Sequence, residues 1–229
     1  MRMRKKKNLE PRLARCAAVT IEEPAAKKGR WLEEMPEARR ICLEIGCGKG
    51  RFISTLAAQN PDILYVALER EKGAIVMAME KVMAGGLQNV RFIIGDAAVL
   101  CEYFADDEID DIYINFCDPW TRRHREKRRL TQRNFLALYQ RVMKTEGRIY
   151  FKTDNVELFD FSEAELPAFG MELLTVTRDL HAANIPNIMT EYEERFSSQG
   201  VKINYIEAKF PEDWQAPQDA EKRENSNEE

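Results

Sequence analysis

Between positions 41 and 151 the chain alternates two hydrophobic rhythms. Short apolar, β-branched runs at 41–45, 64–68, 90–94, 112–116 and 148–151 read as parallel strands buried on both faces. Between them apolar residues recur at helical spacing: Phe52, Ile53, Leu56 and Ala57, then Ile75, Met79, Val82 and Met83, then Phe135, Leu138, Tyr139 and Val142. Strand and helix alternating in this way predict right-handed crossovers and an open, doubly wound α/β sheet. Ligands of such sheets bind at the carboxyl ends of the strands. After Asp154 come a helical segment to about Phe169, a strand at 171–177, an irregular polar stretch at 181–199 and a strand at 201–210. The last two strands are joined by a loop without a clear crossover helix. They are expected to pair antiparallel and complete a seven-stranded, mostly parallel sheet. Residues 1–38 show little periodicity and are expected to form a basic, flexible or appended arm. Residues 39–211 form the main domain, and residues 212–229 an acidic, disordered tail.

Composition narrows the classes. In 229 residues, 44% hydrophobic and 32% charged, there is material for one globular core. No run approaches the roughly 18 apolar residues of a membrane span, and the basic start is not followed by an apolar segment, so a cytoplasmic location is expected. The five cysteines, Cys16, Cys42, Cys47, Cys101 and Cys117, contain no C-x-x-C pair and read as reduced thiols. With His124 and His181 the only histidines, neither a metal centre nor a histidine-based triad is expected. The net charge of −4 conceals a concentration of cations: Arg122, Arg123, Arg125, Lys127, Arg128, Arg129 and Arg133 stand against Glu126 alone. Such a block suits a polyanion bound at one face, and equally a solvated helix face.

The chemistry gathers at the strand ends. The first strand runs into Gly46-Cys47-Gly48-Lys49-Gly50, a turn whose glycines let a ligand approach the backbone. A nicotinamide fingerprint needs its third glycine at position 51, where Arg51 stands. Glu69 follows the second strand and Asp96 the third. The former is placed to accept ribose hydroxyls and the latter an exocyclic amine, although Asp96 is also a natural N-cap for Ala97 and Ala98. Together, glycine turn and acids resemble the class I S-adenosylmethionine-dependent methyltransferases. The fourth strand ends in Asn115-Phe116-Cys117-Asp118-Pro119-Trp120, where proline stops the ladder just before the basic block.

That hexapeptide, the run His124-Arg125-Glu126-Lys127-Arg128-Arg129, the segment Phe151-Lys152-Thr153-Asp154-Asn155, and Thr190-Glu191-Tyr192-Glu193 followed by Glu194-Arg195-Phe196 carry a closer likeness. In order and spacing, over about residues 35–210, they resemble the bacterial tRNA (guanine-N7)-methyltransferase family, which modifies guanine 46 of the tRNA variable loop. The resemblance implies a Rossmann-like class I methyltransferase fold with helices on both faces, S-adenosylmethionine as cofactor and tRNA as partner, without metal or membrane, as monomer or homodimer. It implies cofactor contacts at Glu44, Gly46, Gly48, Glu69, Asp96 and Asp118, with Asp118 also the catalytic candidate. Substrate contacts fall on Arg122, Asp154, Thr190, Glu191, Tyr192 and Glu193, and RNA contacts on His124 to Arg129. Two positions depart from the family pattern: Arg122 replaces a common lysine, and Cys117 stands where Pro or Ser is frequent.

Guanine N7 is a ring lone pair that needs no deprotonation, so alignment and charge stabilisation should supply the catalysis. Asp118 and Asp154 are expected to anchor the guanine, with Glu193 assisting. The rivals are a methyltransferase of the same fold acting on an exocyclic amine of a nucleic-acid base, and a noncatalytic RNA-binding module. Asp-Pro-aromatic sequences of the former commonly carry a second proline, absent here, and intact acids at the strand ends argue against the latter.

Overall fold

The structure is a computed structural model that describes residues 8–214. In chain order it contains α1 (Leu9–Arg15), β1 (Arg40–Ile45), α2 (Arg51–Gln59), β2 (Ile63–Glu69), α3 (Lys72–Ala84), β3 (Val90–Ile94), α4 (Leu100–Tyr103), β4 (Ile109–Asn115), α5 (Arg133–Val142), β5 (Met143–Thr153), α6 (Val156–Ala168), β6 (Glu172–Thr177), α7 (Glu191–Ser197) and β7 (Asn204–Lys209). The sheet has seven strands in the order β3-β2-β1-β4-β5-β7-β6. β1 pairs parallel with β2 and β4, β2 with β3, and β4 with β5. β7 runs antiparallel between β5 and β6, so the final hairpin-like pair closes the sheet with β6 on its edge.

Strand alternation divides the core into two layers. Ile41, Leu43 and Ile45 of β1 and Leu64, Val66 and Leu68 of β2 pack with α4, α5 and α6 on one face. Cys42, Tyr65 and Ala67, between them in sequence, pack with α2 and α3 on the other. Every one of the three expected helical stripes lies on a helix whose apolar face is buried: Ile53 and Ala57, Ile75, Met79 and Val82, and Phe135, Tyr139 and Val142. Gly50 starts α2 at φ +78°, and a Cβ there would stand 2.7 Å from Ala78 Cα, so no other residue lets α2 and α3 meet this closely.

Three stretches differ from the sequence expectations. Residues 8–38 are not a flexible arm but part of the packing. Arg12 pairs with Glu80 of α3 at 2.6 Å, Cys16 and Val19 are buried, and Thr20 bridges Phe92 of β3. Trp31 is fully buried, donates Nε1–H to the Tyr103 carbonyl (2.9 Å) and stacks on Phe104 at 5.1 Å. This segment covers the β3 edge, whose unpaired backbone is otherwise open to association. Its short 3-10 turns and single bridge leave no periodic trace in sequence. Second, the polar stretch at 181–199 contains α7, a helix too short and too acidic to show a stripe. Third, the start of the acidic tail is ordered: Trp214 packs between Phe169 and Phe210. Residues 1–7 and 215–229, the outer parts of the expected arm and tail, lie outside the described residues.

Because Trp31 is core, Trp31→Ala should lower the free energy of unfolding by about 3–5 kcal/mol. Denaturant titration checks this, and an unchanged midpoint would return the N-terminal segment to the status of an arm.

Candidate active site

A cavity of about 760 Å³ opens at the carboxyl ends of β1, β2, β3 and β4. Gly46, Glu69, Asp96 and Asp118 line it, together with Phe116, Cys117, Trp120, Lys127, Arg128, Leu130 and Phe135. The sequence therefore placed its four strand-end signals on one wall, as a parallel sheet requires. Gly46 and Gly48 have φ of +80° and +55°, and a Cβ at either would meet nothing within 4 Å. Unlike Gly50, they keep backbone accessible to a ligand rather than to a neighbouring helix. Gly48 N–H donates to Glu69 Oε2 (3.1 Å) and Glu71 N–H to Glu69 Oε1 (2.8 Å), which fixes the Glu69 carboxylate with one lone pair of each oxygen still available. Asp96 serves the structural role foreseen for it: Oδ1 caps the following turn through Ala98 N–H (3.0 Å), while Oδ2 holds Arg70 (3.1 Å).

Glu44, near the carboxyl end of β1, is 1% exposed. Asn115 Nδ2 donates to Oε1 at 3.0 Å, while Oε2 is buried with no hydrogen-bond partner among the described residues. Burial pushes the carboxyl up to about 7, against the opposing pull of Asn115 and Lys152. An orphaned carboxylate oxygen, two open glycines and a fixed acid for hydroxyl groups fit a ligand that carries an amine and a ribose, as S-adenosylmethionine does. Of the residues expected to hold it, Gly46, Glu69, Asp96 and Asp118 line the cavity, while Glu44 and Gly48 do not.

The Asp118 turn leaves β4 under strain. Phe116 and Trp120 adopt φ of +54° and +43°, a region costly for aromatic residues. Asp118 is exposed on this turn and makes no hydrogen bond or ion pair among the described residues. The basic block folds as a 3-10 turn over 123–128, and its guanidiniums at Arg125 and Arg128 stand 5.8 and 5.1 Å from the Trp120 ring centroid. Arg122, Arg123, His124, Lys127 and Arg128 are exposed, and Arg125 and Glu126 half-buried. Arg129 differs from the rest of the expected RNA-binding run. Its side chain is 3% exposed and turned into the protein, because Pro119 and Glu157 take its hydrogen bonds.

The expected substrate segment, α7 and the residue before it, precedes β7 and reaches α2, α3 and the end of β5. Thr190 caps α7 through Glu193 N–H (2.9 Å), and Tyr192 O–H donates to Asp154 Oδ2 (3.2 Å). The Tyr192 ring lies 5.0 Å from that of Phe116, so Asp154, Tyr192 and the cavity wall are continuous. Glu191 pairs with Lys81 of α3, and Glu194 with Arg51 at the glycine turn. Glu193 was expected to assist at the guanine, but it is fully buried and its oxygens are taken. Lys152 Nζ lies at 2.8 Å, His181 Nε2 at 2.8 Å and Asn187 Nδ2 at 2.6 Å. Burial opposes its charge, yet these partners outweigh burial and hold Glu193 below the usual carboxylate range. It anchors the segment from within. Asn115 and Lys152 were not singled out from sequence, although each is a polar residue at the end of an otherwise apolar strand, which is the signal that marks them.

Glu44 yields a pH prediction with a definite sign. A carboxyl whose folded pKa is raised binds more protons folded than unfolded, so it costs stability as pH rises from about 4.5 through about 7. Glu44→Gln should therefore unfold later than the parent at pH 8 and lose that advantage at pH 4.5. Equal midpoint differences at both pH values would show that the site is not desolvated.

A family model described as "Putative methyltransferase" matches residues 38–206. The tRNA (guanine-N(7)-)-methyltransferase of Lactococcus lactis subsp. cremoris is 45% identical over 213 residues, covering 92% of this chain and 98% of that protein. The protein of the same name from Streptococcus mutans is 43% identical over 211 residues, covering 92% and 100%. Among solved structures, an antibiotic-related methyltransferase superposes with a TM-score of 0.60 at 23% identity, covering 79% of this chain and 92% of that one, a likeness of fold. Identity at this level over nearly the whole length of both proteins makes the chain a member of the tRNA (guanine-N7)-methyltransferase family.

Proposed function

We propose that the protein transfers the methyl group of S-adenosylmethionine to N7 of guanine 46 in the tRNA variable loop. The observation that carries this reading is the sharing of one cavity wall by three features: the strand-end acids, the strained Asp118 turn and the basic 3-10 turn. When bound, the cofactor supplies a methyl carbon activated on a positively charged sulfur. N7 presents its lone pair without loss of a proton, so the protein has no need of a general base. What it supplies is orientation and a negative field beside a ring that becomes cationic.

Asp118 and Asp154 are the carboxylates suited to that task. Asp118 lines the cavity with no partner among the described residues, and Asp154 keeps one oxygen free of Tyr192. Each can accept from the N1–H and exocyclic amine of guanine, an edge that adenine lacks. Tyr192, 42% exposed and stacked on Phe196 at 4.3 Å, offers an aromatic face to a flat base. Arg122, Arg123, His124, Arg125, Lys127 and Arg128 supply the phosphate attraction that brings tRNA to this edge.

Asp118→Asn and Asp154→Asn should each lower methyl transfer to tRNA at least tenfold with the melting temperature unchanged. Wild-type turnover in either variant would remove that residue from the site. Arg123→Ala and Arg128→Ala should weaken tRNA binding and reduce the slope of log affinity against log salt by about one each. The position is tested with a tRNA transcript in which guanine 46 is replaced by adenine. It should accept no methyl group, and undiminished transfer would move the target elsewhere in the molecule.

A further inference from the structure

The basic run contains one member that cannot meet a phosphate. We propose that Arg129 is a positioning residue, whose buried guanidinium ties the Asp118 turn to the start of α6 and so sets the spacing of Asp118 and Asp154. The proposal rests on the reading of those two aspartates as the guanine-side groups. Arg129 Nε donates to the Pro119 carbonyl at 2.9 Å, between Asp118 and the left-handed Trp120. Its Nη2 donates to Glu157 Oε1 at 2.6 Å, in the first turn of α6. The N-cap of that helix is Asn155, whose Oδ1 accepts from Leu158 N–H (2.8 Å), and Asp154 is the residue just before it. One planar group therefore reaches the turn of one carboxylate and the helix cap beside the other.

The guanidinium also lies over the Phe161 ring, 4.6 Å from its centroid. Further ties run down the same side of α6. Thr131 Oγ1 and Ser162 Oγ are 2.7 Å apart in the core, and Arg133 Nε donates to Glu165 Oε1 at 2.8 Å. Glu157, Phe161, Ser162 and Glu165 share one helix face by their spacing. The segment that follows the basic turn is thus stapled along α6, and Arg129 is the staple nearest the site. A buried cation costs stability unless its donors are met, and the strained turn has in Arg129 the group that holds its Pro119 carbonyl. Lysine carries the same charge but lacks the fork that reaches both partners.

The test uses Arg129→Lys, Glu157→Gln, the double variant and Asp118→Asn in the full chain. Turnover at saturating tRNA, tRNA affinity against salt, S-adenosylmethionine affinity and thermal unfolding are read for each, at a temperature where all are folded. Arg129→Lys should lower kcat tenfold or more and leave the salt slope and both affinities within about twofold. Glu157→Gln, which alters a half-exposed carboxylate and leaves the core intact, should lower kcat by less. The double variant should be no worse than Arg129→Lys alone, since both changes break one tie. A salt slope reduced by about one with kcat intact would make Arg129 a phosphate contact and overturn the proposal. Additive losses in the double variant, or a kcat loss that tracks lost folded protein, would overturn it as well. Full activity in Asp118→Asn would instead fault the reading of Asp118, a result distinguishable from any of these.

Discussion

The parallel pairing of β1 with β4 is the constraint on which the site depends. In the order β3-β2-β1-β4-β5 the chain winds outward in one direction from β1 and in the other from β4, so the crossovers diverge there and leave a crevice at the carboxyl edge. The glycine turn and the Asp118 turn leave these two neighbouring strands. The hydrogen bond from Asn115 to Glu44 (3.0 Å) joins them near their carboxyl ends. A register shift of one residue would send Glu44 to the opposite layer and part this pair, so the core packing of β1 and β4 and the chemistry of the site are set by one alignment.

Around that crevice the protein spends buried charge on holding loops rather than on reacting groups. Lys152 and Glu193 meet in the interior and fasten the α7 segment to β5, while Arg129 fastens the turn after β4 to α6. Buried pairs of this kind contribute little net stability, because desolvation offsets attraction. Their consequence is geometric: the loops carrying Asp118, Asp154 and Tyr192 each have an internal anchor. Asp118 and the exposed arginines, the groups on which the proposed function draws, are left facing outward.

Much of this was legible in the sequence because β-strands buried on both faces and amphipathic helices write strong periodicities. Strands at 90–94 and near 41–45, 64–68 and 112–116, and the three helical stripes, lie where the pattern put them. The strand-end rule brought Gly46, Glu69, Asp96 and Asp118 into one cavity without any coordinates. What escaped was set by tertiary contact. Nothing in the spacing of Trp31 says that it stacks on Phe104, and nothing in Arg128-Arg129 says that one side chain faces solvent and the next the core. Glu193 in Thr190-Glu191-Tyr192-Glu193 looked like a cap or a base contact. Its buried ion pair with Lys152, 41 residues earlier, is a long-range fact.

The most direct test is transfer of labelled methyl from S-adenosylmethionine to unmodified tRNA, followed by nucleoside analysis and aniline cleavage, which breaks the chain at N7-methylguanine. Label in N7-methylguanine with a single cleavage in the variable loop is the predicted result. Label in any other nucleoside would contradict the account of the target, and a tRNA left unlabelled by protein that binds the cofactor would contradict the account of the substrate.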